Sequence, residues 1–378
     1  MKKRYLFAPG PTPVPPAVLA ATAEPMVHHR AADFRVIYER SLARLREVFC
    51  TSNDVLLFSA SGTGAMDSAI ANLTAAGDKI AVVTAGAFGQ RWLAICKHYG
   101  LDIEQIDYAW GEVPVPEEVG AAAAAAGAGI VLCTQSETST GVVTDVQAMK
   151  QAVGDAVLVV DAISSLGAVP LETDAWGIDV VVSGSQKALM CPPGLAMASV
   201  AEHLWDTLPP SRTFYFDWRA TKKAQQAFDA AFTPAVSLIR GLDVALGMIL
   251  EDGLEVAFER HVRLGRATRA GVKAMGLELF SPDTDVSAVV TAVNAPDGID
   301  ASDLLSHLSK QHGVTLAPGQ GALKGKVFRI GHIGWFDIFD IATALGALEL
   351  SLVELGADIE RGVAITRAFE AYEQRVTA

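Results

Sequence analysis

The chain is poor in the features that mark metal-ribbon, disulfide-framed, nucleic-acid-binding and membrane-spanning proteins. It has only four cysteines, Cys50, Cys96, Cys133 and Cys191, far apart and with no CxxC pair. That distribution excludes a zinc ribbon or a disulfide framework and fits a reducing compartment, so the four read as ordinary buried thiols. Basic residues are outnumbered, 30 Lys and Arg against 43 Asp and Glu, which argues against a nucleic-acid partner or an anionic membrane surface. An anionic ligand therefore has to be held by a local site. No apolar run approaches the length of a transmembrane helix. After Met1-Lys2-Lys3-Arg4 the apolar stretch is cut by Pro9, Pro11, Pro13, Pro15 and Pro16, so no signal-peptide core is expected and a cytoplasmic location is. Internal repeats and a GxxxxGK[ST] phosphate loop are also missing.

What is present is a long globular chain. Its 378 residues are 51% hydrophobic and 19% charged, enough for two domains and a large core. Between residues 50 and 200, apolar runs alternate with helix-like stretches. Val55–Ser59, Ile80–Thr84, Ile103–Ile106, Ile130–Gln135, Val157–Asp161, Val180–Ser183 and Leu195–Val200 read as seven strands. Such alternation predicts an α/β fold with a mostly parallel sheet covered on both faces. The alanine run 121–126 predicts a helix ended by Gly127 and Gly129. From about 236 to 275 the pattern predicts one long helix leaving the first domain, with Arg260, Arg263, Arg266 and Arg269 forming a solvated or salt-bridged stripe. Beyond Gly276, strand-like 287–293 and 327–330 mix with helix-like 302–311 and 338–355, the pattern of a small α+β domain. The expected division is 1–255 for an N-terminal arm and large domain and 256–378 for the small one.

The residues that carry chemistry sit where strands end. Val180-Val181-Val182-Ser183-Gly184-Ser185-Gln186-Lys187 delivers one lysine from an apolar strand into a glycine-softened turn, and Val157–Val160 ends in Asp161 at the same sheet edge. A lysine and a carboxylate so placed suit pyridoxal 5'-phosphate: the lysine binds the aldehyde and the carboxylate keeps the pyridine nitrogen protonated. A solvated lysine and a helix-capping aspartate are the plain alternatives. Ser59-Ala60-Ser61-Gly62-Thr63-Gly64-Ala65-Met66 follows the first strand and opens a helix, a place for a phosphate. It also has the look of a dinucleotide loop, but Asp67 stands where GxGxxG needs a small residue, which weakens a nicotinamide-dependent oxidoreductase. Phe88, between Gly86 and Gly89, offers a ring for stacking or for core packing. Glu137-Thr138-Ser139-Thr140-Gly141 supplies small donors or a helix cap. Arg329 breaks the apolar run of Val327-Phe328-Arg329-Ile330, to grip a carboxylate in two places or to form a buried ion pair.

Taken together, Pro9-Gly10-Pro11-Thr12, SGTGAM, FGxRW, ETSTG, VDxxSSLG, SGSQK, CPPG and RIGHIG occur in the order of the class V aminotransferases. Across nearly its whole length the chain resembles the alanine–glyoxylate / serine–pyruvate group of these fold-type I pyridoxal phosphate enzymes. The resemblance implies Lys187 as the cofactor lysine, Asp161 at the pyridine nitrogen and Phe88 stacked on the ring. It implies phosphate contacts from Ser61, Gly62, Thr63 and Gln186, with Ser139 near the ring hydroxyl or phosphate, and substrate contacts from Gly10 and Arg329. It further implies a homodimer with sites at the subunit interface, where Thr233 of one chain reaches the phosphate of the other, although no tyrosine stands just before Thr233. His28-His29-Arg30 resembles a loop that in the phosphoserine branch reads a substrate phosphate across the dimer; a solvated basic loop is its other reading. The expected activity is transfer of an amino group from alanine or serine to glyoxylate or pyruvate, with phosphoserine, aspartate or 2-aminoethylphosphonate as alternative substrates and no metal. A cysteine desulfurase is disfavoured because no cysteine follows Cys191.

Overall fold

The computed structural model describes residues 3–374. In chain order the strands are β1 (Tyr5–Leu6), β2 (Asp54–Phe58), β3 (Lys79–Thr84), β4 (Asp102–Asp107), β5 (Ile130–Thr134), β6 (Ser136–Glu137), β7 (Val142–Val143), β8 (Val157–Asp161), β9 (Val180–Gly184), β10 (Ala196–Val200), β11 (Val290–Asn294), β12 (Val314–Thr315), β13 (Ala317–Pro318) and β14 (Val327–Gly331). Seven of them form the large sheet in the order β2-β10-β9-β8-β5-β3-β4. Its pairings are parallel from β9 through β8, β5 and β3 to β4, and antiparallel only on either side of β10. Each of the seven expected strands is present, displaced by no more than a residue or so at its ends.

Burial on both faces explains why those strands read as unbroken apolar runs. Side chains alternate across a sheet. Val181 and Val160 accordingly belong to one core, with helix Ala32–Val48 and helix Val236–Asp252, while Val180, Val182 and Val159 belong to the other, with helix Gly62–Leu73 and Trp92. The alanine run lies in helix Pro116–Ala126, and Gly127 ends it at φ 68° in the left-handed region that favours glycine.

Two expectations need correction in the later half. The single long helix is two helices, Val236–Asp252 and Leu254–Ala274, because Gly253 adopts φ 89°, ψ 151° and breaks the hydrogen-bond ladder. The arginine stripe, read as solvated or salt-bridged, is largely the latter. Arg269 is buried, pairing with Asp283 at 3.0 Å and donating to the Ser287 carbonyl at 2.9 Å, Arg266 pairs with Asp285, and Arg263 lies over the Tyr372 ring. Beyond these helices, β11, β14 and β13 form an antiparallel sheet whose apolar face packs on Leu264, Leu304 and Leu345 in a third core. The helix expected over 302–311 is α-helical only over Ala301–His307 and π-helical over Leu308–His312. Helix Ile338–Glu354 begins on a capping box, Asp337 accepting from Asp340 N and Asp340 from Asp337 N. No helix among the described residues is long and apolar enough to cross a membrane.

Candidate active site

The parallel strands β5, β8 and β9 end together, and the loops beyond them bring the site residues to one edge. Asp161 is the last residue of β8, beside Val182 of β9. Lys187 lies three residues past β9 in a turn pinned by Ser185, whose N–H donates to Leu195 O at 3.0 Å and whose hydroxyl donates to Pro192 O at 2.7 Å. Its side chain is buried and Nζ donates to Pro9 O at 2.8 Å. Gly10 makes that approach possible: a Cβ there would stand 2.3 Å from Nζ. Arg329, in the middle of β14, is carried against the same place by the N-terminal segment, since Gly331 N donates to Phe7 O at 2.7 Å.

Burial dominates the electrostatics. It pushes Asp161 up to about 7; the Ile163 N–H that the carboxylate accepts at 2.8 Å opposes this, and the charge of Glu137 adds to it. Burial and the neighbouring Arg329 guanidinium bring Lys187 down to about 8, against the pull of Asp161. The lysine is thus nearer to a neutral amine, and so to a nucleophile or base, than a solvated one. Arg329 is held by carbonyls: its Nε donates to Pro318 O at 3.0 Å and its Nη1 to Thr138 O at 2.7 Å. Among the described residues it forms no ion pair with a carboxylate, which corrects the buried-ion-pair reading, and burial lowers it to about 10. A buried cation whose hydrogen bonds go to carbonyls, with the Glu137 charge acting on it without an ion pair, is a costly arrangement that a bound anion relieves.

Two residues that the sequence reading quoted only inside motifs organise the rest. Glu137, buried at the end of β6, accepts from the N–H groups of Phe88 at 2.9 Å and Gly89 at 3.1 Å, and from Ser139 N and Oγ at 3.1 and 2.5 Å. Its carboxylate caps the positive end of helix Ala87–His98 and so fixes the backbone that presents Phe88. Ser139 Oγ is part of this network, accepting from Ala87 N at 3.0 Å. Gly86 has to be small here, because a Cβ would fall 2.4 Å from Ser139 Oγ. Arg91 covers one face of Phe88 at 4.8 Å and donates to Thr63 Oγ1 at 3.2 Å, and its charge reaches both Asp161 and Lys187. The signals were available in ETSTG and FGxRW, but spacing alone does not show which loop a carboxylate or guanidinium will meet.

Ser61, Gly62 and Thr63 form the N-terminal turn of helix Gly62–Leu73, which leaves unpaired N–H groups at a positive helix end. Gln186 lies beside it, and its buried Oε1 has no hydrogen-bond partner. Gly62 is packed so tightly that a Cβ would stand 2.7 Å from Ile163.

Residues 4–330 match the family described as aminotransferase class-V. The chain is a class V aminotransferase. A protein of Synechococcus sp. (strain PCC 6716) named soluble hydrogenase, small subunit, is 43% identical over 94% of each chain. The L-aspartate–glyoxylate aminotransferase of Paracoccus denitrificans is 35% identical over 99% of this chain and 97% of its own. The crystal structure of ureidoglycine–glyoxylate aminotransferase from Bacillus subtilis superposes with a TM-score of 0.93 at 30% identity, covering 99% of both chains. The fold is that of the fold-type I pyridoxal phosphate transferases.

Three expected site residues lie elsewhere in this class V aminotransferase chain. Thr233 and His29 line a surface cavity of about 540 Å³ together with Met26, Pro234 and Leu238, a cavity that neither Lys187, Asp161 nor Arg329 lines. Arg30 is exposed and pairs with Asp229 at 3.4 Å. The aminotransferase also carries a clamp that its sequence did not reveal. Buried His261 accepts from Gly334 N at 3.0 Å, Arg260 donates to Gly334 O at 3.1 Å, and Thr12 Oγ1 donates to Lys187 O at 3.1 Å. A Cβ on Gly334 would lie 3.1 Å from that same Lys187 carbonyl. Burial brings His261 down to about 3, so it stays a neutral acceptor at ordinary pH.

Proposed function

We propose that this aminotransferase uses pyridoxal 5'-phosphate to move an amino group from alanine or serine to glyoxylate or pyruvate, as a cytoplasmic homodimer with residues 1–255 as its large domain and 256–378 as its small one. The observation that carries the reading is a buried guanidinium without a carboxylate partner, Arg329, set against a buried, amine-like lysine, Lys187. All the substrates named share an α-carboxylate, which Arg329 is suited to bind. The residues fit the cofactor as well. The helix turn at Ser61–Thr63 and the unsatisfied amide of Gln186 suit a phosphate, since a half-turn of the amide offers its NH₂ group. Phe88 and Asp161 suit a flat cationic ring. When bound, the cofactor supplies an aldehyde that joins an amine and a ring that withdraws electrons. Lys187 Nζ would take the proton from the donor's α-carbon and pass it on to the amino-accepting carbon of the bound group rather than back, Asp161 would keep the ring protonated, and Arg329 would orient the carboxylate.

Glyoxylate is the acceptor named for both the Paracoccus relative and the Bacillus structure, which supports the acceptor half of the reading. The Paracoccus protein is named for aspartate, and this favours a second reading with an acidic donor. The hydrogenase name of the Synechococcus relative draws no support from the cysteines here, which are scattered and, for Cys96, Cys133 and Cys191, pushed by burial to about 12. A panel of alanine, serine, aspartate and phosphoserine against glyoxylate, pyruvate and 2-oxoglutarate decides the matter. Arg329→Ala should raise KM for every donor and acceptor, with kcat/KM losses of about 2–5 kcal/mol typical of truncating a desolvated charge partner. Unchanged KM values, or a strong preference for 2-oxoglutarate, would overturn the substrate reading.

A second copy of the chain is the natural cover for the Thr233–His29 cavity. Met26 on its rim is 69% exposed, and nearby Phe214, 84% exposed, packs on Phe232 at 5.5 Å. Solvent-facing apolar groups of this size mark an interface. Thr233 follows Phe232, and Ala235 N donates to Ser59 Oγ at 2.9 Å, which anchors the segment where a second copy could receive it. Lys187→Ala chains mixed with Thr233→Ala chains should regain partial activity, because some hybrids hold one intact site. Fully active monomers in sedimentation at assay concentration would rule the dimer out.

A further inference from the structure

The second chemistry-bearing cluster lies in the small C-terminal part of the chain, where His307, His312 and Glu354 meet. The two histidines are five positions apart, a spacing that an α-helix of 3.6 residues per turn sends to well-separated faces. Here Leu308–His312 is wound as a π-helix, whose i→i+5 register brings residues five apart onto one side. Glu354, the last residue of helix Ile338–Glu354, closes the group. Its Oε2 lies 2.6 Å from His307 Nε2 and 3.1 Å from His312 Nε2, and the three ligand atoms lie within 4.8 Å of one another. The imidazoles are about one-fifth exposed and the carboxylate nearly half, so water reaches the cluster.

We propose that His307, His312 and Glu354 form a binding site for one divalent transition-metal ion of the zinc class. Two imidazole nitrogens and one carboxylate oxygen are a donor set that tetrahedral zinc accepts, with bonds of about 2.0–2.2 Å and a fourth position left for water. Imidazole ligands select zinc, copper, nickel or cobalt over magnesium and calcium, which take oxygen. Imidazole ligates only through an unprotonated ring nitrogen, so binding should weaken on acidification. π turns are rare and concentrate at functional sites, and this one has no role in the transamination chemistry.

The site's position assigns it a stabilising or regulatory part. Gly313 ends the π turn at φ 69°, and the chain passes at once into β12, which pairs with β1. Phe7 N donates to Thr315 O at 2.8 Å, and two residues further Pro9 O receives Lys187 Nζ. A cation that fixes the π turn to helix Ile338–Glu354 therefore fixes the strand from which the N-terminal arm reaches the lysine.

The test uses the full chain carrying its cofactor, freed of metal by a chelator and of any affinity tag, and titrated with Zn²⁺ in a calorimeter. One equivalent should bind per chain, more weakly as pH is lowered, Tm should rise, and Mg²⁺ should give no saturable binding. Glu354→Gln and His312→Gln should each weaken Zn²⁺ binding by more than about tenfold, a loss that removal of even an outer partner can cause, and should abolish the rise in Tm. Co²⁺ bound to the unaltered chain should show the intense visible bands of tetrahedral nitrogen and oxygen coordination, a check that needs no variant. Binding of equal affinity in both variants, or no saturable binding of Zn²⁺ and no such Co²⁺ spectrum, would overturn the proposal.

Discussion

Lys187→Ala is expected to keep the fold and its capacity for cofactor while losing nearly all turnover. The segment that walls the lysine is anchored on either side without it, Phe7 N donating to Thr315 O at 2.8 Å and Thr12 N to Gln186 O at 3.2 Å, so truncation costs the Pro9 carbonyl its donor but leaves the segment in place. In the proposed reaction, what disappears is the group that moves the proton off the donor's α-carbon. Positioned general acid–base catalysis contributes about 10²–10⁴-fold. The unaltered protein should absorb in the visible region, lose that band on borohydride reduction and carry a stable mass increase on the Lys187 peptide. Labelling of another lysine, or substantial activity in the alanine variant, would remove Lys187 from this role.

The lysine, the aspartate and the arginine were legible for one physical reason: each interrupts or ends an apolar run that only a buried strand explains. Val180–Val182 and Val157–Val160 are buried on both faces, so a charge placed at their ends has to be at the sheet edge. The seven strands were legible for the same reason. Gly253 was not, because a lone glycine inside a helical pattern is ambiguous until its φ is known. Glu137 and Arg91 escaped notice as organisers because their partners, the Phe88 amide and Thr63, lie on other loops. The His261 clamp on Gly334 joins residues 73 positions apart and leaves no periodic trace. His307 and His312 fail the helical period by one residue, so only the π turn makes them neighbours. Periodicity thus reports which face of an element is buried, whereas contacts between loops depend on the whole topology.

Asp161→Asn is expected to lower turnover by orders of magnitude with the fold intact. An asparagine keeps the oxygen that accepts from Ile163 N at 2.8 Å and fills the same buried space, so packing is preserved and only the charge is lost. In the proposed reaction that charge keeps a proton on the ring nitrogen, and without it the ring is a far weaker electron sink. A second measurement separates this electrical role from a packing role. In protein stripped of cofactor, folded Asp161 retains its proton up to about 7, whereas an unfolded aspartate releases it near 3.8. Between those values the folded state binds more protons at this group, so its contribution to stability falls as pH rises. The asparagine variant lacks that dependence, and denaturant unfolding should show it gaining on the unaltered chain from pH 4 to about 7. A bound cationic ring beside the carboxylate should draw the Asp161 value back down and reduce the difference. Near-normal turnover in Asp161→Asn would be incompatible with the assigned role. A stability gap that stays constant with pH would mean that the carboxylate is ionised throughout, its burial compensated by neighbours such as Lys187 and Arg91.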